Sequence, residues 1–259
     1  MNPSKRILFC GDPHGRFDHI LLAAADPAVA AVILLGDLQA REPLHECLGP
    51  IAEKTWFIHG NHDTDSVQDW HHVWNSKMAD RNIDGSVITL DCGLRIAGLG
   101  GVFRESVWHP DPGSKTKGKP VYMTPQEHAK YTPRQDRLNG LQTRKHWSSI
   151  YRGTVDMLAG LRADVLVTHE APGYHPHGFE VLDELARDMG ASFTVHGHQH
   201  DCIDSSRNWA AQGFKSFGVG LRGISALSTR PNAQSVLEVV LPGEMDQARH
   251  GFRTVVERG

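Results

Sequence analysis

Ile7-Leu8-Phe9-Cys10-Gly11-Asp12-Pro13-His14-Gly15-Arg16 is an apolar run that stops at a turn. Gly and Asp-Pro are ordinary turn residues, so local chain geometry explains Asp12 taken by itself. It does not explain His14. The same kind of ending recurs four times. Ala31 to Leu35 stops at Gly36-Asp37, and Trp56 to Ile58 leads into Gly60-Asn61-His62-Asp63. Val165 to Thr168 stops at His169-Glu170, and Ser192 to Val195 leads into Gly197-His198-Gln199-His200. Five strand-like runs thus end on side chains that can bind a metal. In open α/β sheets ligands bind beyond the carboxyl ends of the strands, so parallel strands would carry all five endings to one edge.

The stretches between these runs have helical spacing over 17–25, 66–74, 154–161 and 181–189, and weakly over 42–53, where Pro43 and Pro50 limit it. Two more strands, 86–90 and 95–99, flank the turn Asp91-Cys92-Gly93, and 215–219 and 235–240 read as closing strands. Strands alternating with helices predict a layered α/β fold. Ala31-Val32-Ile33-Leu34-Leu35 is apolar on both faces, as a central strand covered on both sides requires. Residues 1–259 read as one domain. The rhythm fails only from about 104 to 147, which carries Pro110, Pro112, Pro120, Pro125 and Pro133, and more basic than acidic residues. A long irregular segment of this kind reads as an insertion, a lid or a substrate-contacting loop.

Composition sets the bounds. With 259 residues, 39% hydrophobic and 22% charged, the chain can bury a large core. The formal charge is 27 − 30 = −3, which does not favour a generic nucleic-acid or membrane binder. No apolar run approaches the roughly 20 residues of a membrane helix. Met1 to Arg6 leads straight into the first strand without a cleavable signal pattern, so the expected location is cytoplasmic. The four cysteines have no CxxC spacing, which fits reduced thiols. The unusual count is 17 histidines, and they cluster in turn-like segments where function concentrates.

Asp12, His14, Asp37, Asn61, His169, His198 and His200 offer oxygen and imidazole donors without thiolate. Such donors suit manganese, iron, zinc or a mixed pair. They are too many for one tetrahedral ion and suit two ions about 3.5–4 Å apart that share one carboxylate. Taken singly, Asp12, Asp37 and Asn61 read as turn or cap residues, His169 as an ordinary strand-end histidine, and His198 and His200 as a loose surface metal site. Taken together, at five successive strand ends, they read as a site.

In order along the chain, Asp12-Pro13-His14, Gly36-Asp37, Gly60-Asn61-His62-Asp63, His169 and Gly197-His198-Gln199-His200 match D-x-H, GD, GNH[DE], a lone His and GHxH. In these motifs the sequence resembles the calcineurin-like metallophosphoesterases, from about residue 5 to about residue 220. The resemblance implies a four-layer α/β/β/α sandwich with two central mixed sheets. It implies that Asp12, His14 and His200 hold one divalent ion, that Asn61, His169 and His198 hold a second, and that Asp37 bridges them. It further implies that His62 contacts the phosphate or protonates the leaving oxygen, and that Asp63 orients His62. The reaction implied is hydrolysis of a phosphate ester by a hydroxide bridging two divalent metals, with manganese first among the candidate ions.

Two arginines are candidates for contact with substrate. Arg41 lies four positions after Asp37. Related protein phosphatases carry GDxVDRG there, whereas this chain has Gly36-Asp37-Leu38-Gln39-Ala40-Arg41-Glu42, keeping the arginine and losing the rest. Arg104 follows the turn Gly100-Gly101-Val102-Phe103. The expected substrate is a small phosphorylated compound or a nucleotide. A phosphodiesterase or nuclease, a protein phosphatase, and a silent interaction scaffold of the same fold are the alternatives. Loss of the fuller signature around Arg41 disfavours a protein substrate, and the mild charge disfavours nucleic acid. A scaffold would show eroded motifs, and none is eroded here.

Overall fold

β1 (Lys5–Cys10), β2 (Val29–Leu35) and β3 (Thr55–Ile58) lie side by side and parallel in the computed structural model, which describes residues 5–229 and 236–250. Side chains alternate across a strand, so Ile7 and Phe9 face one way and Leu8 and Cys10 the other. Both sets are buried, the reason these runs are apolar throughout. β9 (Ile224–Thr229) runs antiparallel to β1, and β10 (Val236–Leu241) antiparallel to β9, giving the order β10-β9-β1-β2-β3.

A second sheet holds β4 (Ser86–Thr89), β5 (Arg95–Leu99), β6 (Val165–Thr168), β7 (Phe193–His196) and β8 (Lys215–Gly218), in that order. β4 is antiparallel to β5, and the other neighbours are parallel. The inner faces meet in one core, where Ile7, Phe9, Ile33, Leu35 and Ile58 join Ile96, Val165, Val167 and Val195. The outer face of the first sheet buries Leu8, Val32 and Leu34. They lie with Ile20 of α1 (Asp18–Ala24), Leu44 and Leu48 of α2 (Leu44–Leu48), and Val73 of α3 (Val67–Trp74). The outer face of the second sheet buries Ala97 and Leu166 with Val155 and Leu158 of α5 (Arg152–Ala159), and with Leu182 and Leu185 of α6 (Glu180–Met189). The result is the expected four-layer α/β/β/α sandwich with two mixed sheets.

Local chemistry sets the helix ends. Ser66 Oγ accepts the Asp69 amide while Asp69 Oδ2 accepts the Ser66 amide, a reciprocal cap that starts α3 one residue after Ser66. The weak helix of 42–53 splits at Gly49, whose φ of 45° ends α2 and leaves Gly49–Lys54 as a 3₁₀ turn. The irregular segment contains α4 (Pro125–Tyr131), capped by Thr124 Oγ1 on the Glu127 amide, so a Thr-x-x-Glu start signal sits among the prolines. Two short helices, α7 (Trp209–Gln212) and α8 (Glu244–His250), complete the described chain. The sequence pattern does not predict β9, because Ile224-Ser225-Ala226-Leu227-Ser228-Thr229 is half small and polar. Pairing with strands on both sides, rather than composition, makes it a strand. The closing strand expected at 235–240 is β10, and Ser235 lies outside the described residues.

Ile33 is fully buried between the sheets. Ile33→Ala is expected to cost about 2–5 kcal/mol through lost burial and the cavity left behind, read from the urea midpoint at unchanged slope.

Candidate metal centre

The carboxyl ends of β1, β2 and β3 face those of β6 and β7 across the sandwich. Two groups of potential ligands form where they meet. Asp12, His14, Asp37 and His200 offer one donor atom each within 4.8 Å of one another, and Asp37, His169 and His198 do the same. Asp37 belongs to both. Its Oδ2 lies 3.9 Å from His14 Nε2, and its Oδ1 lies 3.4 Å from His169 Nε2. Asn61 Oδ1 stands 3.3 Å from His169 Nε2, which brings Asn61 to the second group. His14 Nε2 and His200 Nε2 are 3.2 Å apart. All the expected donors therefore converge. Asp12 and His14 come from the loop after β1, Asp37 and Asn61 from those after β2 and β3, and His169, His198 and His200 from the loops of the second sheet.

Hydrogen bonds behind the site fix which nitrogen faces it. His169 Nδ1 donates to the Leu35 carbonyl at 2.8 Å, and His14 Nδ1 donates to Gln39 Oε1 at 2.6 Å. Each ring therefore turns Nε2 inward as the donor atom for a cation. Asp12 is fully buried and accepts the His198 amide at 3.0 Å on both oxygens, so the first loop grips the last. The His62 amide donates to Asp37 Oδ1 at 2.8 Å. Asp37 Oδ2 is buried with no hydrogen-bond partner. A buried carboxylate oxygen without a partner, between imidazole nitrogens, is the environment a divalent cation would satisfy.

The backbone is strained in the same place. Asp12, His14, Asp37, Gln39, His198 and His200 all have positive φ, from 40° to 65°. Non-glycine residues rarely adopt this region, and they hold it where surrounding structure forces them. Two glycines allow the close approach. A Cβ on Gly36, whose φ is 98°, would lie 2.5 Å from His169 Nδ1, and one on Gly60 would collide with Asp37 Oδ1.

Charge is unbalanced in the protein alone. Burial raises the Asp12 carboxyl well above the usual range, with the His169 charge only partly opposing it. Burial pushes Asp37 the same way, but His169 outweighs it and holds Asp37 below the usual range. His169 is the reciprocal case, since burial disfavours its charge and Asp37 overcomes that. Burial lifts Asp63 and Glu170 to about 7 each. Burial and the neighbouring His169 lower His198 to about 3. Four buried carboxyls against one buried imidazolium fit a site whose missing positive charge comes from cations, whose binding would displace these protons.

The family model for calcineurin-like phosphoesterases matches residues 5–202. The chain belongs to the calcineurin-like phosphoesterase family. A Haemophilus influenzae protein of unassigned function is 36% identical over 221 residues, covering 85% of this chain and 92% of that protein. The solved structure of TT1561 from Thermus thermophilus superimposes with a TM-score of 0.57 at 16% identity, covering 92% of this chain and 99% of that one. This second likeness concerns the fold.

Within this family member, one expected role is filled differently. Asp63 does not reach His62. Its two oxygens accept the Gln39 and Gly60 amides at 2.9 and 2.8 Å, tying the loops after β2 and β3 together. His62 Nδ1 instead meets Asp65 Oδ2 at 2.6 Å. The reason is geometric, because the 3₁₀ turn His62–Thr64 points consecutive side chains apart and brings position 65 back beneath position 62. Arg104 is half-buried, donates from Nη2 to Ser148 Oγ at 3.2 Å, and keeps a buried Nε without a partner. It is close enough to Glu170, Asp65 and Asp37 to feel their charge. Arg41 is exposed beside Gly15 of the first loop.

Sequence reasoning missed Glu170. It is 5% exposed, with Oε1 accepting the Phe103 amide at 3.1 Å and Oε2 3.8 Å from His198 Nε2. The available signal was its place next to His169 at a strand end. Because burial raises its folded pKa from 4.5 to about 7, the folded state binds more protons than the unfolded one between these values. Its contribution to stability is therefore lost as pH rises from about 4.5 to about 7. In metal-free protein, Glu170→Gln is expected to flatten the fall in unfolding temperature over that window, measured by thermal scans at stepped pH.

Proposed function

We propose that this chain is a metal-dependent phosphoesterase that holds two divalent ions and hydrolyses a small phosphorylated compound or a nucleotide. Manganese is the first candidate ion, with iron, zinc or a mixed pair behind it, and the setting is cytoplasmic, in keeping with four unpaired cysteines. The observation that carries the reading is Asp37, with one carboxylate oxygen turned to each donor group. Asp12, His14, Asp37 and His200 would hold one ion, and Asp37, Asn61, His169 and His198 the other. When bound, two such ions supply Lewis acidity toward phosphate oxygens and lower the pKa of water.

The remaining steps fall to side chains. Burial disfavours charge on His62, but the Asp65 carboxylate outweighs it and raises the imidazole above its ordinary pKa. Asp65 fixes Nδ1, so His62 is left with Nε2 to hold a proton for the leaving oxygen or to donate to the phosphate. Arg104 brings a delocalised charge from the start of the 104–147 segment, which makes that segment substrate-contacting in this reading. Arg41, exposed at the first loop, is the lesser candidate. Among the described residues no helix is long and apolar enough to cross a membrane, and neither a membrane nor nucleic acid is part of this reading.

Protein stripped of metal and given manganese is expected to cleave an aryl phosphate monoester or the matching diester only in its presence. The faster substrate decides between phosphatase and phosphodiesterase. Cleavage that survives stripping, or none of either substrate or of a nucleotide panel, would sink the proposal. Asp37→Asn is expected to abolish turnover while circular dichroism still reports a folded chain. Asp65→Asn is expected to lower kcat roughly 10-fold or more. Asp63→Ala should act through stability instead, lowering the unfolding temperature because it strands the Gln39 and Gly60 amides.

A further inference from the structure

The loop between β8 and β9 is bonded to two of the three loops that build the first donor group, Asp12, His14, Asp37 and His200. The Gly11 amide donates to the Gly223 carbonyl at 3.1 Å, and the Arg222 amide donates back to the Gly11 carbonyl at 3.0 Å. On its other side the Leu221 amide donates to the His200 carbonyl at 3.4 Å. The chain carrying Asp12 and His14 and the chain carrying His200 thus meet on one short loop. The second donor group has other supports. His169 is held by the Leu35 carbonyl, and the Asn61 loop by Asp63 on the Gly60 and Gln39 amides.

One side chain of the β8–β9 loop reaches the turn that carries the donors. Arg222 is 18% exposed at its side chain. Its Nε donates to the Pro13 carbonyl at 3.2 Å, while its Nη1 donates to Glu244 Oε2 at 2.7 Å. Pro13 lies between Asp12 and His14. Its carbonyl also takes the Arg16 amide at 3.0 Å, so both of its lone pairs are used. Asp12, His14 and Arg222 hold positive φ of 41°, 43° and 56°. A backbone so strained keeps its shape only where surrounding contacts impose it. The rigid guanidinium fork can hold a carbonyl and a carboxylate in fixed directions at once, which a lysine ammonium does less well. Glu244 begins α8, and its own amide donates to the Leu221 carbonyl at 2.8 Å, so the helix fastens the loop from behind. Charge does not explain an arginine here. A guanidinium opposes a nearby divalent cation, and the Glu244 carboxylate offsets that charge.

We propose that Arg222 is a positioning residue for the first ion, holding the Asp12-Pro13-His14 turn in its ligand geometry, and that it has no such role for the second. The proposal rests on the two-ion reading.

Zinc is titrated into metal-free protein against a competing chelator. Calorimetry counts the ions. Imidazole ¹⁵N spectra follow the His14 and His169 rings, identified by their loss in His14→Gln and His169→Gln. Wild-type protein is expected to take two ions and to shift both rings. Arg222→Ala is expected to raise the zinc needed at His14 by roughly 10-fold, as loss of an outer support to a ligand does, and to leave the His169 curve in place. The sign is the discriminating feature, because removal of a positive charge by itself would tighten cation binding. Arg222→Lys keeps the charge and should move His14 in the same direction as Arg222→Ala. Circular dichroism checks each variant, and Arg222→Lys decides alone if Arg222→Ala does not fold. The proposal is overturned if His14 titrates as in wild type in the folded variants, if His14 and His169 weaken equally, or if Arg222→Ala tightens the first ion. Wild-type protein that takes fewer than two ions would instead overturn the two-ion reading, and this proposal with it.

Discussion

Burying the Asp37 carboxylate between two sheets is the constraint on which the rest of this structure turns. Burying a carboxylate is costly unless its oxygens find partners. One oxygen takes the His62 amide and faces His169, while the other stands unpaired toward His14. Those partners come from different sheets, so the charge can be balanced only where the carboxyl ends of both sheets meet. The four-layer sandwich provides such a seam, because its inner faces are held together by apolar side chains right up to the strand ends.

The strain around the seam follows. Six non-glycine residues take positive φ there, which local propensity opposes. They are held by a mesh of loop contacts: the His14 amide on the Asp37 carbonyl, the Asp12 carboxylate on the His198 amide, and Asp63 on two neighbouring amides. Stability built in the sheets is thus set against geometry at the site. The same mesh explains why GNHD is more than a string of donors. Asn61 faces the site, Asp63 ties two loops together, and the histidine between them takes its orientation from Asp65, two residues beyond the motif.

The 104–147 segment has a comparable double character. It places Arg104 within reach of the charges of Glu170, Asp65 and Asp37, and Gln142 and Trp147 on the lining of a separate pocket. Its prolines hid a capped helix and a Trp70–Trp74–Trp147 cluster that anchors it to α3. A segment without periodicity can therefore still be built into the core, because edge-to-face aromatic contacts do not need a repeating pattern.

The strand ends were legible in the sequence because burial on both faces forces continuous apolar runs, and because turns after them need glycine. The seven residues that meet at this seam, Asp12, His14, Asp37, Asn61, His169, His198 and His200, could be named for the same reason. β9 could not be read, since a strand two-thirds made of serine, threonine and alanine is specified by its neighbours' hydrogen bonds. Nor could Glu170 or Asp65 be assigned a place, because a lone acid after a histidine looks the same whether it is solvated or buried. The linear order of residues determined which chemistry sits at each strand end. Only the packing of one sheet on the other decided which nitrogen turns inward, which carboxyls lose water, and which acid reaches His62, since desolvation and distance exist only once the two halves meet.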